Sequence, residues 1–125
     1  MPHSFEYATV RLVPRVEREE FLNVGVIVFC AEADFLEARI ELDQARLLAF
    51  APQLDLADAR EHLDSIPRIC RGDASAIGQL PQRERFRWLA SPRSTILQIS
   101  PAHAGLCDQP VAWLERLLDR MVRTP

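Results

Sequence analysis

The sequence predicts an α+β domain: an antiparallel sheet of about four strands with helices packed on one face, in the order β-β-β-α-α-β-α. Three observations predict it. Residues 5–42 hold three segments that alternate, or run continuously apolar, as strands do, and only short links separate them. From residue 43 onward the apolar spacing changes from two to about 3.6, the helical period. A further strand-like segment, residues 95–100, then precedes a closing helix with the strongest periodic pattern in the chain.

The first strand covers Phe5 to Val13, "FEYATVRLV", with Tyr7, Thr9, Arg11 and Val13 on one face and Ala8, Val10 and Leu12 on the other. Pro14 closes it. A charged connection, "RVEREEFLN", leads into Val24 to Cys30, a β-branched run that suits a central strand or one buried on both faces. In "FLEARIELD", Leu36, Ala38, Ile40 and Leu42 oppose Glu37, Arg39 and Glu41, the pattern of a half-exposed strand. These three strands form a meander.

Asp43 can cap a short helix carrying Leu47, Leu48 and Phe50, which Pro52 ends. Asp55 or Asp58 can cap a second, with Leu56, Ala59, Leu63 and Ile66 on one stripe and Pro67 ending or kinking it. "CRGDASAIGQLPQ" reads as a loop. Gln82 to Leu89 reads as a short helix or turn, although "RERFRWL" also fits an edge strand. Thr95 to Ser100, stopped by Pro101, is the fourth strand. Asp108 can cap the last helix, whose Trp113, Leu114, Leu117, Leu118, Met121 and Val122 share a face.

At 125 residues the chain is the size of one domain, residues 1–125, able to bury its own core. With 48% hydrophobic and 26% charged residues it belongs with globular proteins, and its longest apolar run, Val24 to Ala31, is far short of a membrane span. The N-terminus lacks the layout of a secretory signal, and three widely spaced cysteines suit buried thiols, so a cytoplasmic location is expected. No cofactor or metal is implied. A net charge of -3 argues against a surface built throughout for nucleic acid, but residues 68–93 hold six Arg against Asp73 and Glu84.

The stretch "REEFLNVGVIVF", Arg18 to Phe29, admits two readings. Gly25 allows a bulge or a close backbone approach, and Asn23 can bond its own chain, so both suit a strand entrance. Glu20 can pair with Arg11, Arg15 or Arg18. Alternatively Glu20 and Asn23 bind a partner at the sheet end. "SPRST", Ser91 to Thr95, offers Arg93, Ser94 and free amides to an anion. Arg83, Arg85 and Arg87 lie nearby, and basic residues interleaved with Phe86 and Trp88 suit single-stranded nucleic acid, although such aromatics are more often core. His103, in "SPAHAG", can act as a general base only if a partner such as Glu20 converges on it.

Four pieces, "EYATVRLVPRVEREEFLNVGVIVFC", "FLEARIELDQARLLAF", "RFRWLASPRSTILQISPAHAGL" and "LERLLDRMV", occur in the order and spacing of a bacterial family called domain of unknown function 3037, which the chain therefore resembles. The family pattern falls on Arg11, Arg15, Glu17, Glu20, Asn23, Gly25, Arg87, Arg93, Ser94, His103 and Gly105. Genes of this kind often neighbour genes for HipA-like serine/threonine kinases, so the resemblance implies an accessory or regulatory partner of such a kinase.

The expectation is a non-catalytic, protein-binding module. Its partner or anion-binding residues are drawn from Arg11, Arg15, Glu20, Asn23, Arg87, Arg93, Ser94 and His103. The surface joins the Arg15 to Asn23 connection to the Arg87 to Ser94 turn. The alternative is a phosphate or nucleic-acid binder using Arg83, Arg85, Arg87 and Arg93. A small enzyme built on Glu20 and His103 is the third reading, and a homodimer is compatible with the first.

Overall fold

Three long strands come first, because the alternating segments near the N-terminus pair with their sequence neighbours. In the computed structural model, which describes residues 2–91 and 95–125, β1 (His3–Leu12), β2 (Leu22–Cys30) and β3 (Phe35–Ile40) form the meander. The remaining elements are α1 (Gln44–Phe50), α2 (Leu56–Arg71), α3 (Gln82–Ala90), β4 (Leu97–Ile99), β5 (His103–Cys107) and α4 (Pro110–Met121). The sheet is antiparallel in the order β3-β2-β1-β4, and β5 also pairs with β1. The α+β class is the one expected, and the order of elements matches it roughly, with α3 and β5 added.

Two details differ from the expectation. The segment around His103 is not a loop but β5. It lies end to end with β4 along one edge of β1, with Val10 opposite Ile99 and Tyr7 opposite His103. The break falls at Ser100–Pro101, where Pro has no N–H for the ladder. The Ser100 hydroxyl mends it by accepting the N–H of Thr9 at 2.9 Å, while the Ser100 N–H donates to the Thr9 carbonyl at 2.9 Å. A proline that ends a pattern in one dimension can still be bridged by an open strand edge.

The second difference is that helices cover both faces of the sheet rather than one. On one face Val10, Leu12, Ile27, Phe29, Leu36 and Ala38 pack with Leu47 of α1, Leu63 and Ile66 of α2, and Phe86 and Leu89 of α3. On the other, Phe5, Val26, Val28, Cys30 and Cys107 pack with Leu114, Leu117 and Leu118 of α4. This is why β2 is apolar at consecutive positions: both of its faces are interior.

Caps and breakers act with one exception each. Asp43 accepts the N–H of Arg46, and Asp55 that of Asp58, both at 3.1 Å. The cap expected at Asp108 is not used; Gln109 holds that place, and Pro110 opens α4 with the φ a first helical residue needs. Pro67 lies inside α2 without ending it. An interior proline forfeits a helical bond at a cost of about 3 kcal/mol, and burial of Ile66, Ile69 and Cys70 around it offsets that cost. The helix stops at Gly72, whose φ of 89° suits a residue without a side chain.

Candidate functional site

Two connections meet at the end of the sheet where β1 stops. After Pro14, residues Val16–Arg18 make a single 3-10 turn, and Glu19 in the left-handed region, φ 59°, redirects the chain toward β2. The Arg18 guanidinium bonds the Glu20 carboxylate, so Glu20 answers to Arg18 and not to Arg11 or Arg15. That hydrogen bond, with the attraction between the charges, holds the Glu20 carboxyl below its ordinary pKa and raises that of Arg18. Across from this connection, α1 ends at Phe50. The chain then turns through Pro52, with Leu54 N–H donating to the Ala51 carbonyl at 3.1 Å, before Asp55 caps α2.

Between the two connections lies an open groove of about 690 Å³, within the range of small-ligand and peptide sites. Pro14, Arg15, Arg18 and Glu20 form one wall, and Phe50, Ala51, Pro52, Gln53, Leu54 and Asp55 the other. Arg15 is exposed, and its side chain makes no hydrogen bond or ion pair among the described residues. Sequence reasoning singled out Arg15 and Glu20 but not the opposite wall. Pro52 was legible only as a helix stop, because nothing local says that this turn folds back against Pro14.

Arg11 and Asn23 lie on the α4 face of the sheet, opposite each other across β1 and β2. The pairing skips Val24: Val10 faces Gly25 and Arg11 faces Asn23, so β2 carries a bulge at Val24. Asn23 uses its side-chain amide to donate to the carbonyl of Met121, the last residue of α4, at 3.0 Å. Gly25 is needed because a β-carbon there would sit 2.7 Å from the Arg39 carbonyl oxygen. Both therefore have structural work at the strand entrance. Arg11 lays its guanidinium over the Phe21 ring, 4.2 Å from its centre, and Phe21 remains 40% exposed. Phe21 is a surface aromatic that no local pattern separates from the core.

Of the other expected residues, Arg87 lies on α3 and His103 on β5. Val13 N–H donates to the Ile96 carbonyl at 2.7 Å, which brings the segment from Thr95 beside the β1–β2 connection. Arg93 and Ser94 lie outside the described residues. Arg87 is exposed on α3, on the face of the sheet opposite α4. The helical reading of "RERFRWL" holds, with Phe86 and Leu89 buried, whereas Trp88 is 37% exposed rather than core. Of the arginines of α3, Arg83 and Arg87 are exposed one turn apart, while Arg85 is not. Arg83 lies over the Phe29 ring, and half-buried Arg85 turns back to donate to the Leu80 carbonyl at 3.2 Å.

Glu20 and His103 do not converge. Glu20 precedes β2 at the Leu12 end of β1, while His103 pairs with Tyr7. Five residues of strand separate those levels, about 17 Å at roughly 3.3 Å per residue. His103 instead sits against the Tyr7 ring at 5.3 Å between centres. Cys30, Cys70 and Cys107 are free and buried, and burial pushes the Cys70 thiol up to about 12, which leaves it without thiolate at neutral pH. Among the described residues no group of three His, Cys, Asp or Glu is placed to hold a metal ion, and no helix is long and apolar enough to cross a membrane.

Comparison with known proteins gives a family match. The family described as "Protein of unknown function (DUF3037)" matches residues 7–122, nearly the whole chain. No curated protein and no solved structure matches it.

Proposed function

The chain belongs to the DUF3037 family, and from that premise we propose that it is a binding module that takes hold of a protein partner through the groove between the β1–β2 and α1–α2 connections. The observation that carries this reading is the groove itself: an open cavity of about 690 Å³ lined by half-buried Pro14, Phe50, Ala51 and Leu54 together with the charged Arg15, Arg18, Glu20 and Asp55. Both connections are held at their ends by strands or capped helices, so the walls are preorganised and little ordering entropy opposes binding. Arg11 and Phe21, stacked and partly exposed at the same end of the sheet, add residue types enriched in protein interfaces.

A HipA-like serine/threonine kinase is the partner class that the family resemblance favours, and regulation of such a kinase is the role that follows. The alternative nucleic-acid reading loses one of its arginines, because Arg85 turns back onto the Leu80 carbonyl. The test is to mix purified protein with a purified HipA-like kinase from the same genome and measure association by calorimetry. Wild type is expected to bind, and Gln53→Trp, which fills the groove from an exposed position, to bind at least about tenfold more weakly. Equal binding by the two proteins, with unchanged denaturation midpoints, would remove the groove as the contact.

A further inference from the structure

We infer that the occupant of the groove is a segment of the partner protein carrying an aspartate or glutamate next to an apolar residue. This rests on the proposed use of the groove and adds the chemistry of what fills it.

Charge complementarity carries the inference. Four charged side chains line the groove, and three are already engaged. Arg18 and Glu20 neutralise each other. Asp55 accepts the N–H of Asp58 at the start of a sixteen-residue helix, where the partial positive charge of the helix end stabilises it. Arg15 alone has no partner among the described residues. A guanidinium is best satisfied by a carboxylate held in its plane by two parallel hydrogen bonds.

A polyanion does not fit the same place. The connection around Arg15 also carries Glu17, Glu19 and Glu20 against Arg18, so repeated phosphates would meet carboxylates on either side of the one unpaired cation. A single carboxylate needs only the one unpaired cation, Arg15. Beside it, Pro14, Phe50, Ala51 and Leu54 are half-buried and present apolar surface that a neighbouring aliphatic side chain would remove from water. Exclusion of water by that side chain strengthens the adjacent ion pair, which in full solvent would contribute little.

The test uses two end-blocked peptides, Gly-Leu-Asp-Leu-Gly and Gly-Leu-Lys-Leu-Gly, titrated into the full chain while backbone amide NMR shifts are followed. The aspartate peptide is expected to shift the amides of residues 15–20, 50, 51 and 53–55 and to bind about tenfold more tightly than the lysine peptide. Arg15→Glu is expected to reverse that order. Equal binding of the two peptides, shifts confined to other surfaces, or no shift with either at millimolar concentration would overturn the inference. Loss of peptide binding in Gln53→Trp with no effect of Arg15→Glu would overturn the charge assignment while leaving the groove as the binding site. Peptide binding unaffected by both variants would overturn the groove, and the proposed function with it.

Discussion

Replacing Gly25 by alanine tests the reason for a glycine in the second strand. Its φ is not positive, since Gly72 is the only glycine with that geometry among the described residues, so an alanine there meets no backbone strain. What it meets is the neighbouring strand. The new β-carbon would lie 2.7 Å from both the Arg39 carbonyl oxygen and the Ile40 Cδ1, where ordinary contact begins at 3.4 Å. The Ile40 methyl can rotate away, but the carbonyl belongs to β3, so the strands must part by about 0.7 Å. They are pinned at that point by the Gly25–Ile40 register and by the Glu41 N–H donating to the Val24 carbonyl at 2.8 Å.

Overpacking of this kind costs about 1–3 kcal/mol, and the reduced freedom of the unfolded chain returns about 0.4–1 kcal/mol. The net expectation is a destabilisation of about 1–2 kcal/mol, which lowers Tm by roughly 4–8 °C for a chain of this size. Urea denaturation followed by circular dichroism measures it, with an unchanged slope showing that the folded state keeps its compactness. A midpoint equal to or above that of the wild type would mean that β2 and β3 have room at Gly25, and the close approach would no longer explain the residue.

Three further outcomes follow from other contacts. Leu117→Ala, at 1% exposure between α4 and the sheet, is expected to cost about 2–5 kcal/mol in a denaturant melt, and Trp113→Ala less, because Trp113 is half-buried against Phe5 and flanked by Arg116 and Arg120. A larger loss at Trp113 would contradict that burial. Asn23→Ala removes the bond to the Met121 carbonyl and should cost about 0.5–1.5 kcal/mol, with faster amide exchange in the last turn of α4; unchanged exchange there would show that the bond does not hold the helix end. Arg123 contacts Glu41, Glu115 and Asp119, and its hydrogen bond lowers the Glu115 pKa from 4.5. A lowered folded-state value contributes stability above pH 4.5 that is lost as pH falls through the folded value. The stability gap between wild type and Arg123→Gln should therefore narrow in acid, and a gap independent of pH would refute the assignment.

How far the sequence could be read depended on whether the deciding interactions were local. The meander, the caps at Asp43 and Asp55, and the inward face of α4 followed from residues within a turn or a strand of one another, since periodicity and capping are short-range properties. The bulge at Val24 and the close approach at Gly25 were legible as options, because Asn and Gly at a strand entrance restrict the backbone to a few conformations. Glu20 had three possible arginine partners in sequence, and only the 3-10 turn placed Arg18 against it.

What the tertiary structure decided were the contacts between distant segments. Helices on both sheet faces, β5 across the Pro101 break, the turn at Pro52 facing Pro14, and Asn23 holding the end of α4 each join residues more than thirty positions apart. Side-chain pattern states how much of a segment wants to be buried, but not which surface covers it. The sequence by itself determined most of the elements, their rough order and a family membership; the packing of those elements over the sheet determined that Arg15 and Glu20 share a groove while His103 and Glu20 do not.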